Sequence, residues 1–147
     1  MQIYLGSDHA GYGMKEVVQT HLKDAGHEVL DLGVFDEVNK ADYPDIAREV
    51  GEKVLENADS LGVLVCGTGM GMALAANKLK GIRAVTAHDS NTARMAREHN
   101  NANVITFGQR VIGNDVAKEI VDTFLGAEFE GGRHGRRVDK ITAIENA

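Results

Sequence analysis

The only cysteine of the chain, Cys66, stands directly before three alternating glycines in the stretch VCGTGMG, residues 65–71. An apolar run, Leu61 to Val65, precedes it, and a helix-like stretch, Met72 to Leu79, follows. Glycines spaced in this way between a strand and a helix leave the backbone unshielded, so several N–H groups can converge on an anion. A cysteine at the mouth of a helix N-terminus lies in a field that favours thiolate over thiol. Thr68 adds a hydroxyl that can donate and accept beside the same loop. Such a loop would combine a base with an oxyanion cradle. That suits acyl transfer through a cysteine nucleophile, or proton abstraction beside a carbonyl with the developing charge held by amides. No histidine neighbours Cys66 in sequence, which leaves acyl transfer without an evident activating partner. The plain alternatives are a small core cysteine and a glycine turn that lets strand and helix pack closely.

Two nucleotide motifs fail at the same loop. The dinucleotide fingerprint needs glycine at its sixth position, which here is Met72, and no Gly-Lys-Ser/Thr follows to make a P-loop. Asp89 lies near the spacing expected of a ribose-binding acid, so a nucleotide-binding module stays as a competing reading.

Other polar residues fall where chemistry is plausible. Asp8 and His9 follow the first apolar run; they read either as a helix N-cap with a solvated neighbour or as a grip on a polar substrate. His99 and Asn100 end a helical stretch, where a histidine commonly serves the last carbonyls. Arg110 follows the fifth apolar run. Arg133 and Arg137, four apart, share one face if their segment is helical, and form either a solvated basic face or a phosphate clamp. None of the six histidines forms an H-x-x-x-H or H-x-H pattern with a third ligand nearby, and one cysteine cannot build a thiolate site, so no metal is expected.

The elements that must position these residues alternate. Apolar runs at QIYLGSD, HEVLDLG, SLGVLVCG, IRAVTA and NVITFG read as five strands. Between them, residues at helical spacing predict helices from about Met14 to Ala25, from Tyr43-Pro44 to Asn57, through MGMALAANKLKG, through SNTARMAREHN, and from Val116 to Leu125. A further helix is expected from about Arg133 to Ala147. Nearly all-apolar strands alternating with helices predict a doubly wound α/β domain, a three-layer sandwich on a five-stranded parallel sheet. Ligands then bind beyond the carboxyl ends of the strands, where Asp8, Cys66 and Arg110 all fall. His99, at the end of its helix, falls at the opposite edge. If it serves catalysis, it most simply does so in the site of a neighbouring subunit.

With 147 residues the chain has the size of one domain, 1–147, with no linker to divide it. A formal charge of −6 argues against a nucleic-acid partner, because phosphate backbones attract excess Lys and Arg. GGRHGRRVDK, 131–140, is a local basic exception. No membrane helix fits, and MQIYLGSDHAG lacks the basic flank and long apolar core of a signal peptide. The free thiol suits a reducing compartment, and the cytoplasm is the expected location.

Taken together, SDHAG (7–11), DYP (42–44), CGTGMG (66–71), AANK (75–78), GIRA (81–84), HNNANV (99–104) and EGGRHGRRV (130–138) resemble the ribose-5-phosphate isomerase B family, which also includes galactose-6-phosphate isomerase subunits. The resemblance covers essentially the whole chain. It implies a Rossmann-like or flavodoxin-like sheet, no metal or organic cofactor, and homodimers or dimers of dimers with shared active sites. It also implies that Cys66 moves a proton between C2 and C1 of an open-chain sugar phosphate and that His99 opens the furanose ring. Asp8, His9, Gly67, Thr68, Gly69, Met70, Gly71, Asn100, Arg110, Arg133 and Arg137 match substrate-binding positions, the arginines and His9 for phosphate and the loop with Thr68 for a cis-enediolate. Some relatives carry an acid at the position of Met72 and lack the cysteine; this chain resembles the cysteine type. An isomerase of six-carbon aldose 6-phosphates and a non-catalytic sugar-phosphate sensor are the competing readings.

Overall fold

A computed structural model describes residues 1–147. Five parallel strands, β1 (Gln2–Ser7), β2 (Glu28–Asp31), β3 (Ser60–Cys66), β4 (Ala84–Thr86) and β5 (Val104–Gly108), form one sheet. Helices α1 (Tyr12–Asp24), α2 (Tyr43–Glu56), α3 (Met70–Ala76), α4 (Ser90–Glu98) and α5 (Asn114–Gly126) cover its two faces, and α6 (Arg133–Glu145) closes the chain. The expected doubly wound α/β sandwich is therefore present. β3 is buried at every residue, as a central strand with helices on both faces must be. β2, at the sheet edge, instead alternates exposed and half-buried residues.

Strand alternation divides the core. Val63 and Val65 join Ile3, Leu5, Ile105 and Phe107 under α1 and α5, while Leu64 and Cys66 join Ile46, Val50 and Met72 under α2 and α3. Cys66 thus ends a rigid strand with its side chain on the α2–α3 face.

The strand order is β2-β1-β3-β5-β4. The flavodoxin-like order would place the fourth strand beside the third; here β5 takes that place and β4 becomes an edge. The pairing of Val65 with Phe107 and of Cys66 with Gly108 consequently lays the end of β5 beside the cysteine loop. The chain reverses its direction of travel across the sheet between β1 and β3, and that crevice is where such sheets bind ligands.

Several boundaries differ from the sequence reading. α3 starts at Met70, where MGMALAANKLKG begins and Gly69 with a left-handed φ of 81° caps it, but it ends at Ala76, short of the expected Gly81. β4 is only three residues long. Ile82 instead closes a turn onto Leu79, and the Arg83 N–H donates to the Asn103 side chain at 2.7 Å. A buried lysine went unnoticed in the sequence. Lys15 on α1 has no exposed side-chain surface, pairs with Asp31 at 2.8 Å and also donates to the Val34 carbonyl, tying the 33–42 loop to the end of β2.

Candidate active site

Adjacent strands deliver Asp8 and Cys66 to one crevice. β1 and β3 run in register from Gln2 with Ser60 to Ser7 with Val65, so the residues just beyond each strand become neighbours. A cavity of 320 Å³ opens there, lined by Asp8, His9, Ala10, Tyr43, Cys66, Gly67, Thr68, Gly71 and Arg110. Six of the substrate-binding candidates and Cys66 thus meet in one chain. Asp8 also caps the short turn His9–Gly11, accepting from the Gly11 N–H at 3.1 Å, as its N-cap reading expects. Nδ1 of His9 is buried without a hydrogen-bond partner. The Arg110 guanidinium lies over Gly67, and its backbone N–H donates to the Gly67 carbonyl at 3.0 Å. Tyr43 packs against Gly71, where a Cβ would stand 2.7 Å from its ring carbons.

The thiol itself is 5% exposed. Its sulfur accepts from the Gly69 N–H at 3.0 Å. This direct amide, rather than a long helix, is what orients the sulfur, since α3 has only seven residues. Gly69 is fixed by its surroundings as well as by its φ: a Cβ there would stand 2.7 Å from the Phe107 Cα. Two of the expected loop residues, Gly69 and Met70, are not among those lining the cavity. The Gly69 amide is spent on sulfur. The Met70 side chain is 57% exposed at the start of α3, so that only its backbone N–H, 3.4 Å from Thr68 Oγ1, faces the loop.

The remaining candidates lie elsewhere. α4 starts beyond β4 and runs back to His99, its C-cap, at the amino edge of the sheet. Its nine residues span about 13 Å. α6 is anchored along that same edge, with the Glu130 N–H donating to the Glu98 carbonyl just before it and Glu145 accepting from the Gly81 N–H near its end. Asn100 lines a separate cavity with Arg83, Ile141 and Ile144. Arg133 and Arg137 are exposed on α6. Thus His99, Asn100, Arg133 and Arg137 gather away from Cys66.

This second group includes two residues that received no role from the sequence. The rings of His99 and His134 stack at 4.1 Å with planes 9° apart. Glu130 Oε1 lies 3.4 Å from His99 Nε2 and 3.6 Å from His134 Nε2. These three ligand atoms lie within 4.8 Å of one another, a grouping that the absence of an H-x-x-x-H or H-x-H pattern did not foretell. Stacked rings keep their in-plane nitrogen lone pairs in nearly parallel planes, which suits a pair sharing a carboxylate better than convergence on one ion. The Glu130-x-x-x-His134 spacing was the available signal; that His99 would join it depends on how α4 ends. Burial, followed by the neighbouring charges of His99 and Arg133, holds the His134 pKa below its usual 6.5. Arg83 and Arg97 donate to the Asn101 and Ala102 carbonyls and fix the corner after His99, where Asn101 has a φ of 48°.

Comparison with known proteins places this geometry in context. The model of a family described as Ribose/Galactose Isomerase matches residues 3–141. Ribose-5-phosphate isomerase B of Escherichia coli K12 is 46% identical over 144 residues, covering 98% of this chain and 96% of that protein. The structure of ribose-5-phosphate isomerase B from Clostridium thermocellum superposes with a TM-score of 0.96 at 49% identity, over 99% of this chain and 98% of that one. That of the Mycoplasma genitalium enzyme, with bound ribulose-5-phosphate, has a TM-score of 0.95 at 45% identity, over 99% of this chain and 96% of that one.

Proposed function

The chain belongs to the Ribose/Galactose Isomerase family and is an isomerase, and from that premise we propose that it interconverts ribose 5-phosphate and ribulose 5-phosphate, with Cys66 as the base. The observation that carries this is the Cys66 sulfur, 3.0 Å from a loop amide, in one cavity with Asp8, His9, Thr68 and Arg110. His99 opens the furanose ring by taking the O1 hydroxyl proton and delivering a proton to the ring oxygen O4 as the C1–O4 bond breaks and the C1 carbonyl forms. The Cys66 thiolate then takes the proton from C2 of the open-chain aldose, and the C–H electron pair becomes the C1–C2 double bond of a cis-enediolate. The charge that develops on O1 is held by loop amides other than that of Gly69, with the Thr68 hydroxyl beside them. The proton returns to C1 while the O2 hydroxyl proton passes to O1, which leaves a hydroxyl at C1 and the ketose carbonyl at C2. His9 and the arginines hold the phosphate, whose binding energy aligns the reacting carbons.

Active sites are shared between subunits of a homodimer or dimer of dimers, one chain supplying Cys66 and its partner His99, Arg133 and Arg137. The support is the separation of these groups within one chain, together with the apolar surface left around them. Ile141 and Ile144 on α6 are 49% and 77% exposed, and Leu74 on α3 is 67% exposed. The reducing environment that a catalytic thiol needs places the enzyme in the cytoplasm. Mixing inactive Cys66→Ala and His99→Ala chains tests the sharing. Random re-pairing restores about a quarter of the sites in a dimer; no recovery, with exchange of subunits verified, refutes it.

A further inference from the structure

Beneath the cysteine loop lies a polar pair that the apolar packing around it does not require. Thr106 sits in the middle of β5, VITFG, and is completely buried. Its Oγ1 donates to the Gly69 carbonyl at 2.7 Å. Oγ1 of Thr86 on β4 lies 2.8 Å from Thr106 Oγ1 and 3.4 Å from the same Gly69 oxygen. A hydroxyl has one proton; with that of Thr106 on Gly69, Thr86 donates to Thr106 across the shorter contact or to the Gly69 carbonyl directly. The Gly69 oxygen also accepts from the Ala73 N–H at 3.2 Å. Two hydroxyls, from β5 and β4, thus close a triangle on the Gly69 oxygen.

We propose that Thr106, backed by Thr86, is a positioning residue that aims the loop amides at the Cys66 sulfur and at the substrate oxygen. The reason is peptide geometry. A trans peptide is planar, with its C=O and N–H pointing in opposite directions. Anchoring the Gly69 oxygen to β5 turns the Met70 N–H away from the sheet, toward Thr68 Oγ1 at 3.4 Å. At Gly69, with φ 81° and ψ −19°, the same anchor restrains the rotation that would swing the preceding N–H off sulfur. Glycine alone imposes no such restraint, because it has the widest choice of backbone conformations. The device exists because β5 lies next to β3. In the flavodoxin-like strand order a different strand would lie under the loop.

The proposal rests on the reading of this loop as catalytic, and the test separates the two. Thr106→Val keeps the shape and removes the hydroxyl. It is expected to lower kcat roughly ten- to a hundredfold with KM changed less than about threefold. Alkylation of Cys66 by iodoacetamide at fixed pH should slow in parallel, and Thr106→Ser should restore both rates. Thr86→Val should move both in the same direction by less. Unchanged kcat and alkylation in Thr106→Val, whatever its thermal stability, overturn the proposal, as does failure of serine to rescue. If Thr106→Val does not fold, Thr86→Val decides by the same two rates. Retained turnover in Cys66→Ala would refute the catalytic reading alone, because the alkylation rates of the threonine variants would still report on positioning.

Discussion

The two ends of the sheet carry functional residues in opposite ways. At the carboxyl edge, Cys66 closes a strand buried at every residue, and the loop after it is pinned by Tyr43, Phe107 and Thr106. At the amino edge, His99 ends a helix with its side chain 37% exposed, and of the thirteen residues of α6 only His134 and Val138 are buried. The first arrangement fixes the Cys66 sulfur 3.0 Å from a loop amide at the end of a buried strand, the rigid placement that the proposed proton transfer needs. The second presents the cations of Arg133 and Arg137 and the half-exposed ring of His99 outward, with His134 buried behind it. A group of residues finished inside the chain and another that faces away from it are what the proposed sharing of active sites between subunits needs.

The largest effect expected from breaking this comparison is at the finished half. Cys66→Ala should lower kcat on ribose 5-phosphate by about 10³-fold or more while leaving KM close to normal, because the base acts only in the chemical step. A coupled ketose assay measures it, and near-normal turnover would remove Cys66 from its role. His99→Ala should cost about 10²-fold in kcat/KM on the same sugar, which is mostly closed into a ring. On erythrose 4-phosphate, whose C4 oxygen is esterified and cannot close a furanose, the same variant should be nearly unimpaired. An equal loss on both substrates would place His99 in the proton transfer rather than in ring opening.

The smallest expected effect concerns stability. His134, facing His99, Glu130, Arg133 and Arg137, has its folded pKa below 6.5, so the unfolded chain takes up a proton that the folded chain refuses. Stability contributed at this position is complete above pH 6.5 and declines as the pH falls through 6.5 toward the folded value. Thermal melting at fixed protein concentration should therefore show a drop in Tm over that window that is smaller in His134→Gln. An identical drop in both proteins would show that the stacked pair imposes no such constraint.

Much of the carboxyl-edge half was legible in the residue order. A strand ends where the glycines begin, so Cys66, Thr68 and the loop had to share a crevice with whatever followed the neighbouring strand. Asp8 and His9 were found on that ground. The use of the Gly69 amide on sulfur was not legible, because it depends on a left-handed φ held by the backbone of β5. Nor was the His99–Glu130–His134 cluster. Its members come from a helix end and a distant turn, and local periodicity says nothing about which chain segments meet there.

The sequence by itself determined the alternation of five strands with helices, the edge at which a ligand binds, and the placement of a thiol beside unshielded amides. These follow from periods of two and 3.6 residues and from where glycine interrupts them. The tertiary structure decided which strand lies next to which. By putting β5 between β3 and β4 it brought Thr106, Phe107 and Arg110 to the cysteine loop and sent β4 to the edge. Pairing between distant strands is selected by how whole faces bury against one another, a property of the assembled core that no single stretch of residues contains.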